Sequence, residues 1–343
     1  MIPQTRYADG PCGALAYQVL GDGPPDLVMV PGWTSHLELQ WQMATYRTFM
    51  RKLARYCRLV RYDKLGTGLS DPTPGAPTTD ERVADLHAVV QAAGSPSPVV
   101  MGFSEGGPLS IRYALNHPVR ALILYGTAMR PPPPEHAGVL EELLNHWGEG
   151  RSLDVFAPSS AADPVARDAT AAMERAGASP AMIRHVMAAV SLADAGPALA
   201  SLTVPTLVVH RSDELIPLAE AEALAGSITG ARLVVLPGVD HHPWAGHHDG
   251  IIEAIAAFLE QVSPPAAGES GGHRPTGHRP RTGPNALTEA ERRVAAQAAA
   301  GSSNPQIARD LHMARTTVET HLKRVYLKLG IDGRHQLSGL DGG

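Results

Sequence analysis

The fold of this chain is decided at Pro98-Val99-Val100-Met101-Gly102-Phe103-Ser104-Glu105-Gly106-Gly107-Pro108. The run up to Met101 is short, apolar and β-rich, as a buried strand requires, and Pro108–Leu115 carries a helical pattern. Between them lies G-x-S-x-G. A sharp strand-to-helix turn holds such a serine in a strained conformation with its Oγ at the start of the helix, and the small neighbours let other backbone pass close by. In a chain with 34 glycines the pattern by itself says little; the strand before it and the helix after it give it meaning.

Further strand-like runs flank this one at Leu27–Val30, Arg58–Tyr62, Ala121–Tyr125, Thr206–His210 and Arg232–Leu236. Helical patterns such as Thr79–Ala93 and Ile251–Val262 separate most of them. Apolar strands alternating with helices predict an α/β fold whose mainly parallel sheet is covered on both faces. The rhythm breaks between Tyr125 and Thr206, where helical stretches (Val139–Trp147, Asp163–Ala176, Pro180–Leu192) follow the stiff Pro131–Pro134 run. This segment, about residues 130–200, reads as a helical cap above the sheet. Its Trp147, Met182 and Met187 either line a pocket or fill the cap's own core.

Serine is a weak nucleophile at neutral pH and needs a base for its proton and an anion to orient that base. In this topology the chain order is Ser, acid, His. Asp213 follows the strand Thr206–His210 and is the expected acid, with its neighbour Glu214 as the alternative. His241 follows the strand Arg232–Leu236 and is the expected base, with His242 as its rival. All three positions fall at the carboxyl ends of strands, where open sheets build their sites. An oxyanion needs two preorganised backbone N–H donors. The expected ones are those of Glu105, directly after the serine, and Trp33, in the loop Pro31-Gly32-Trp33. His241, His242, His247, His248 and Asp249 cluster in sequence, but Pro243 intervenes and no helical i,i+4 pair completes a tetrahedral set, so no metal and no cofactor is expected.

The charge is uneven. The 343 residues carry a net −5, yet His273–Gly343 holds 11 Lys+Arg against 6 Asp+Glu, while the preceding residues hold 18 against 28. A basic tail on an acidic body is expected if only the tail meets phosphate. Pro, Gly and Ser dominate residues 263–286, which read as a flexible linker between domains at 1–262 and 287–343. Two cysteines, Cys12 and Cys57, lack any framework spacing, no leader pattern opens the chain, and no apolar run is long enough to span a bilayer. A cytoplasmic protein without membrane contact is therefore expected.

After the linker, Thr288 and Glu291 form a capping box for a helix that ends near Gly301. Asn304 is the expected cap of a second, short helix with Pro305 in its first turn. A third helix, Thr316–Leu329, repeats Val318, Leu322, Val325 and Leu329 on one face. Two short helices joined by a tight turn make a helix-turn-helix, whose second helix enters the major groove. The candidate DNA contacts are Arg315, Thr316, Thr317, Glu319, Thr320, Lys323 and Arg324.

The first domain resembles the α/β-hydrolase superfamily, in the branch associated with cyclase and regulatory domains. The marks are VPGWTSHLELQW (30–41), RYDKLGTGLSD (61–71), GFSEGGP (102–108), LYGT (124–127) and LPGVDHHPWAG (236–246). Leu65 stands where that branch usually has Arg. The segment 286–338 resembles the LuxR-type DNA-binding domain through LTEAERRV, AAGSSNPQIARDL, TTVETHLKRVYLKLG and R-x-Q-L at Arg334–Leu337. Ala314 stands where that family usually has a capping Ser, and only six residues follow Leu337. The two resemblances together imply a LuxR-type transcription regulator, a homodimer on DNA, whose hydrolase-like domain binds a small-molecule signal and hydrolyses it or merely senses it. The alternative is a working serine hydrolase, acting on an ester, lactone or amide, that carries an accessory DNA-binding domain.

Overall fold

A computed structural model describes residues 2–128, 137–191, 196–263, 287, 289–311, 313, 315–329, 331 and 333–339. The chain divides into two units, Met1–Pro265 and Ala266–Gly343. The linker reading, the Pro131–Pro134 run and Thr288 lie outside the described residues, except for Ser263.

The first unit contains β1 (Arg6–Gly10), β2 (Gly13–Leu20), β3 (Asp26–Val30), α1 (Ala44–Leu53), β4 (Arg58–Tyr62), α2 (Thr79–Ala92), β5 (Val99–Phe103), α3 (Gly106–Asn116) and β6 (Ala121–Tyr125). The cap helices α4 (Ala137–Asn145), α5 (Ser152–Phe156), α6 (Pro164–Gly177) and α7 (Pro180–Ser191) follow. The unit then closes with β7 (Thr206–Arg211), α8 (Leu218–Ser227), β8 (Arg232–Leu236) and α9 (Asp249–Val262). The strands form one sheet in the order β1-β2-β4-β3-β5-β6-β7-β8. All pairs from β4 to β8 are parallel, and β1 and β2 add an antiparallel edge.

The period of two along each strand divides its side chains between two cores. Val28, Val60, Val100, Leu122 and Val208 pack with Leu86, Val89, Leu109, Ile111 and Leu224 of α2, α3 and α8. Leu27, Leu59, Val99, Met101, Ile123 and Leu207 pack with Phe49, Met50 and Leu53 of α1 and Ile251, Ile255 and Phe258 of α9. Each fully buried aliphatic or Phe side chain contributes roughly 1.5–3 kcal/mol. The sequence reading lacked the hairpin β1–β2. Its loop is Pro11-Cys12, with Gly10 paired to Gly13, rather than the Asn-Gly or Asp-Gly that announces a tight hairpin.

The cap is held by one buried carboxylate. Glu174 of α6 accepts from the N–H groups of Gly148 and Gly150 (both 2.8 Å), from Ser152 N–H (3.2 Å) and from the Ser152 hydroxyl (2.5 Å). Trp147, Met182 and Met187 are partly buried against Leu144, Ala178 and Ile183, together with Trp33 of the sheet domain. Trp147 Nε1–H donates to Ala178 O at 2.8 Å.

The second unit contains α10 (Glu289–Ala299), α11 (Asn304–Asp310) and α12 (Arg315–Leu329), then a short 3₁₀ segment at Arg334–Gly339. Val294, Ala298, Ile307, Val318, Leu322, Val325 and Leu337 form its core. The cap of α11 is Ser303, not Asn304. The Ser303 N–H and hydroxyl both donate to Gln306 Oε1 (2.8 and 2.7 Å), and Ser303 O accepts from Ile307 N–H (2.9 Å). Asn304 is thereby the first helical residue.

Candidate active site and nucleic-acid interface

Ser104 sits at the end of β5 with φ 53, the one non-glycine residue in the left-handed region among the described residues. Such a conformation costs on the order of 1–3 kcal/mol and persists only where neighbours enforce it. Here they do. Ser104 N–H donates to Tyr125 O (2.9 Å), and Ser104 O accepts from Gly107 N–H (3.0 Å). A Cβ on Gly102 would lie 2.7 Å from Gly107 Cα, and one on Gly106 would lie 2.5 Å from Val30 O. Both flanking positions therefore admit only glycine.

His241 Nε2 lies 2.8 Å from Ser104 Oγ, and its Nδ1 meets Glu214 Oε2. The carboxylate at the histidine is thus Glu214, and the expectation of Asp213 is corrected. Ser212 N–H and Asp213 N–H continue the pairing beyond the strands, donating to Leu236 O (2.9 Å) and Gly238 O (3.0 Å). Asp213 is exposed, and its carboxylate accepts from the adjacent Ser212 hydroxyl (2.6 Å). Glu214, the next residue, points inward with its side chain fully buried. Its other oxygen lies 3.1 Å from His210 Nδ1. His210 Nε2 is 2.9 Å from Ile216 O, and a carbonyl only accepts, so Nε2 carries a proton. Burial pulls the His210 pKa down and the Glu214 carboxylate opposes it. His210 escaped the sequence reading because it read only as the last residue of a strand. Gly126, at the end of β6, has φ 52; a Cβ there would lie 3.0 Å from Glu214 Oε1 and 3.1 Å from His241 Cε1. This glycine leaves room for the acid–base pair.

His242, the rival histidine, does not meet the serine. It stacks on Phe156 (5.7 Å between ring centroids) and Trp244 (4.8 Å). Burial, with His241 and Arg211 adding to it, pushes its pKa down to about 3. Phe156 also lies 5.6 Å from the His241 ring and 4.9 Å from Trp33, and Trp33 meets Trp147 at 5.7 Å. Phe156 of the cap therefore covers the imidazole, with Trp33 of the sheet domain and Trp147 of the cap packed beyond it. Beside Gly32 and Phe103 a cavity of about 20 Å³, lined also by Thr34, Tyr46, Arg61 and Trp244, has room for a single water.

Of the two residues expected to supply oxyanion donors, Glu105 directly follows the serine in the chain and Trp33 directly follows Gly32. A Cβ on Gly32 would fall 3.5 Å from Ser104 Cβ, so the Pro31–Trp33 backbone runs against the nucleophile. The Glu105 side chain turns away into a buried ion cluster with Lys64 and Arg82. Burial pushes the Glu105 carboxyl up, but Arg82 and Lys64 outweigh it and hold it below the usual carboxylate range. Burial brings the Lys64 ammonium down to about 8 against the pull of Glu105. Sequence reasoning did not find this cluster, whose members are separated by 41 and 23 positions. Among the described residues no group of three or more His, Cys, Asp or Glu side chains could hold a metal ion.

In the second unit the candidate DNA contacts all lie on α12. Arg315 and Glu319 pair with one another on its surface at 2.9 Å. The side chains of Thr316, Thr317, Thr320, Lys323 and Arg324 lie outside the described residues. The buried face of α12 is the one carrying Val318, Leu322 and Val325.

Comparison with known proteins separates the same two parts. A model of the alpha/beta hydrolase family matches residues 27–254, and one of the luxR family of bacterial regulatory proteins matches residues 285–339. Polyketide synthase ThaQ of Burkholderia thailandensis is 32% identical over 281 residues, which cover 76% of this chain and 13% of that protein. The chain thus spans a small part of that relative. The pimeloyl-[acyl-carrier protein] methyl ester esterase of Xanthomonas campestris is 26% identical over 267 residues, 70% of this chain and 97% of that enzyme. Among solved structures, a hydrolase from Pseudomonas aeruginosa superposes with a TM-score of 0.62 at 24% identity, covering 75% of this chain and 98% of that one.

Proposed function

Because this chain belongs to the alpha/beta hydrolase family and ends in a DNA-binding domain of the luxR family of bacterial regulatory proteins, we propose that it is a transcription regulator whose first domain binds and hydrolyses a small ester, lactone or amide. The observation that carries the chemical half is the His241 imidazole held between Ser104 Oγ and Glu214. In the proposed reaction His241 Nε2 takes the Ser104 proton as Oγ attacks the carbonyl carbon. His241 then returns that proton to the leaving alcohol or amine, and water cleaves the acyl-serine by the same exchange. Glu214 orients the imidazole and stabilises its charged form. The N–H groups of Glu105 and Trp33 are the proposed oxyanion donors. No cofactor enters these steps.

The esterase relative supports an acyl substrate. Phe156 lies over the His241 ring and packs on Trp33, which meets Trp147, so a shift of these three rings is the proposed way in for the ligand and the proposed start of the signal. DNA is the partner of the second domain, through Arg315, Thr316, Thr317, Thr320, Lys323 and Arg324 with Glu319 setting Arg315. The regulator is proposed to act in the cytoplasm as a homodimer. No helix among the described residues is long and apolar enough to cross a membrane.

A second reading, a working hydrolase whose DNA-binding domain is accessory, is favoured by the same assembled triad. Two measurements test the proposal. The full chain is assayed against a panel of aryl esters, lactones and anilides beside Ser104→Ala; turnover by the wild type alone is expected, and equal rates would refute the chemistry. The full chain is also tested by gel shift on the promoter fragments near its own coding region. A specific shift supports the regulator, and turnover without any specific shift would leave the second reading in its place.

A further inference from the structure

Arg211 is the largest of the fully buried side chains, at 1% exposure. It leaves the end of β7 and runs beneath the loop that follows β8. Its Nη1 donates to Asp240 O (2.8 Å) and His242 O (3.1 Å), and its Nη2 to Ala245 O (2.7 Å) and His247 O (3.1 Å). The first two carbonyls belong to the residues on either side of His241. The nearest carboxylate oxygen, Asp240 Oδ2, stands 3.8 Å away and is already engaged by the cap: Asp240 accepts from Ser159 N–H (2.9 Å) and from the Ser159 hydroxyl (2.8 Å). Gly238, with φ 144, presses on the guanidinium stem, where a Cβ would lie 3.0 Å from Arg211 Cδ.

Burying a guanidinium without a close carboxylate is unfavourable, and an apolar side chain of similar volume generally serves stability as well or better. What an apolar side chain cannot do is fix four carbonyl oxygens. The planar fork of five N–H donors does this in one rigid piece, whereas a lysine offers a single point of donation. We propose that Arg211 is the positioning residue of the site. It sets the loop Asp240–His247 so that the His241 imidazole stays between Ser104 and Glu214. The proposal rests on the hydrolytic reading above. A displacement of about 1 Å in such an arrangement costs on the order of a hundredfold in rate. The cap holds the same loop from the other side, through Asp240–Ser159 and through His242 N–H donating to Phe156 O (2.9 Å). The loop is thus clamped between the sheet and the cap.

The test uses the full chain and a fluorophosphonate probe, with wild type, Ser104→Ala, Arg211→Met and Arg211→Lys. The rate of adduct formation is read by intact mass, and the His241 Nδ1 proton is followed by its far-downfield proton NMR signal well below each melting transition. Wild type is expected to label and to show the signal. Arg211→Met should label at least a hundredfold more slowly, with the signal broadened or lost, and Arg211→Lys should recover about a tenth of the wild-type rate. If Arg211→Met does not fold, Arg211→Lys alone carries the comparison. Labelling within twofold of wild type and an unchanged signal in the folded variant would overturn the role of Arg211. A wild type that neither labels nor shows the signal would instead overturn the hydrolytic reading itself.

Discussion

Replacing Glu214 by Gln and, separately, Asp213 by Asn separates two adjacent carboxylates that sequence alone leaves nearly equivalent. Glutamine keeps the shape of the Glu214 side chain. Its carbonyl can accept from His241 Nδ1–H, and its amide can face His210 Nδ1, now 3.1 Å from the carboxylate. The tautomer of His241 therefore survives, and what is lost is the charge. Two unit charges roughly 4 Å apart interact by about 4 kcal/mol at an effective dielectric constant of 20. The imidazolium that forms as Ser104 attacks loses that stabilisation, which at about 1.4 kcal/mol per decade is roughly a thousandfold in rate. The glutamine carbonyl keeps part of this interaction by accepting from Nδ1–H, so a loss of 10²–10³ is expected from Glu214→Gln. Asp213→Asn removes an exposed carboxylate bonded only to its neighbour Ser212, and less than a twofold change is expected. The assay is the second-order rate of serine modification by a fluorophosphonate, followed by intact mass. If Asp213→Asn slows the reaction more than Glu214→Gln, the assignment of the acid is wrong.

Gly126→Ala should lower the modification rate by at least tenfold and cost about 1–2 kcal/mol in urea unfolding, since the new methyl meets Glu214 and His241 at a left-handed φ. Arg82→Met should destabilise the first unit by about 3–5 kcal/mol, because it leaves buried Glu105 with Lys64 alone; recovery in Arg82→Met/Glu105→Gln would verify the pairing by denaturant titration. His242 is held neutral by burial, with a folded pKa of about 3 against about 6.5 when unfolded, so the unfolded chain takes up the extra proton and stability falls as pH drops from about 6.5 towards 3. The expected slope from this residue is up to about 1.4 kcal/mol per pH unit, and His242→Phe should flatten melting temperature against pH in that window. Lys323→Ala should weaken DNA binding and reduce the slope of log affinity against log salt by about 0.9; an unchanged slope removes Lys323 from the phosphate contacts.

The central strands were legible because they are buried on both faces. Arg58–Tyr62, Val99–Phe103 and Ala121–Tyr125 appear with the bounds their apolar runs predict, as does the partly exposed edge strand Arg232–Leu236, whose β-branched residues mark it. The edge hairpin was not legible, since Arg6–Gly10 is largely exposed and its turn lacks the usual residues. The strand–serine–helix turn and His241 could be placed from their positions after strands. The acid could not, because the choice between Asp213 and Glu214 depends on how far pairing with β8 continues past Arg211. The backbone bonds of Ser212 and Asp213 to Leu236 and Gly238 extend it, and the first inward-pointing carboxylate is then Glu214. His210, Arg211 and the Lys64–Glu105–Arg82 cluster join segments distant in sequence or lie inside a strand, so no local pattern announces them. In the second unit the face of α12 follows from its period. The cap at Ser303 was missed because Ser303 and Asn304 are both good caps, and only the position of Gln306 three residues after Ser303 distinguishes them.

The measurement closest to the heart of this reasoning is peptide-level mass spectrometry of the full chain after brief exposure to a fluorophosphonate, in wild type and in His241→Ala. A single phosphonyl group on Ser104, its oxygen bonded to phosphorus and fluoride released, is the expected outcome, with the modification suppressed at least a thousandfold in the variant. An unmodified Ser104 in the wild type, or one that reacts equally fast without the imidazole, would contradict it.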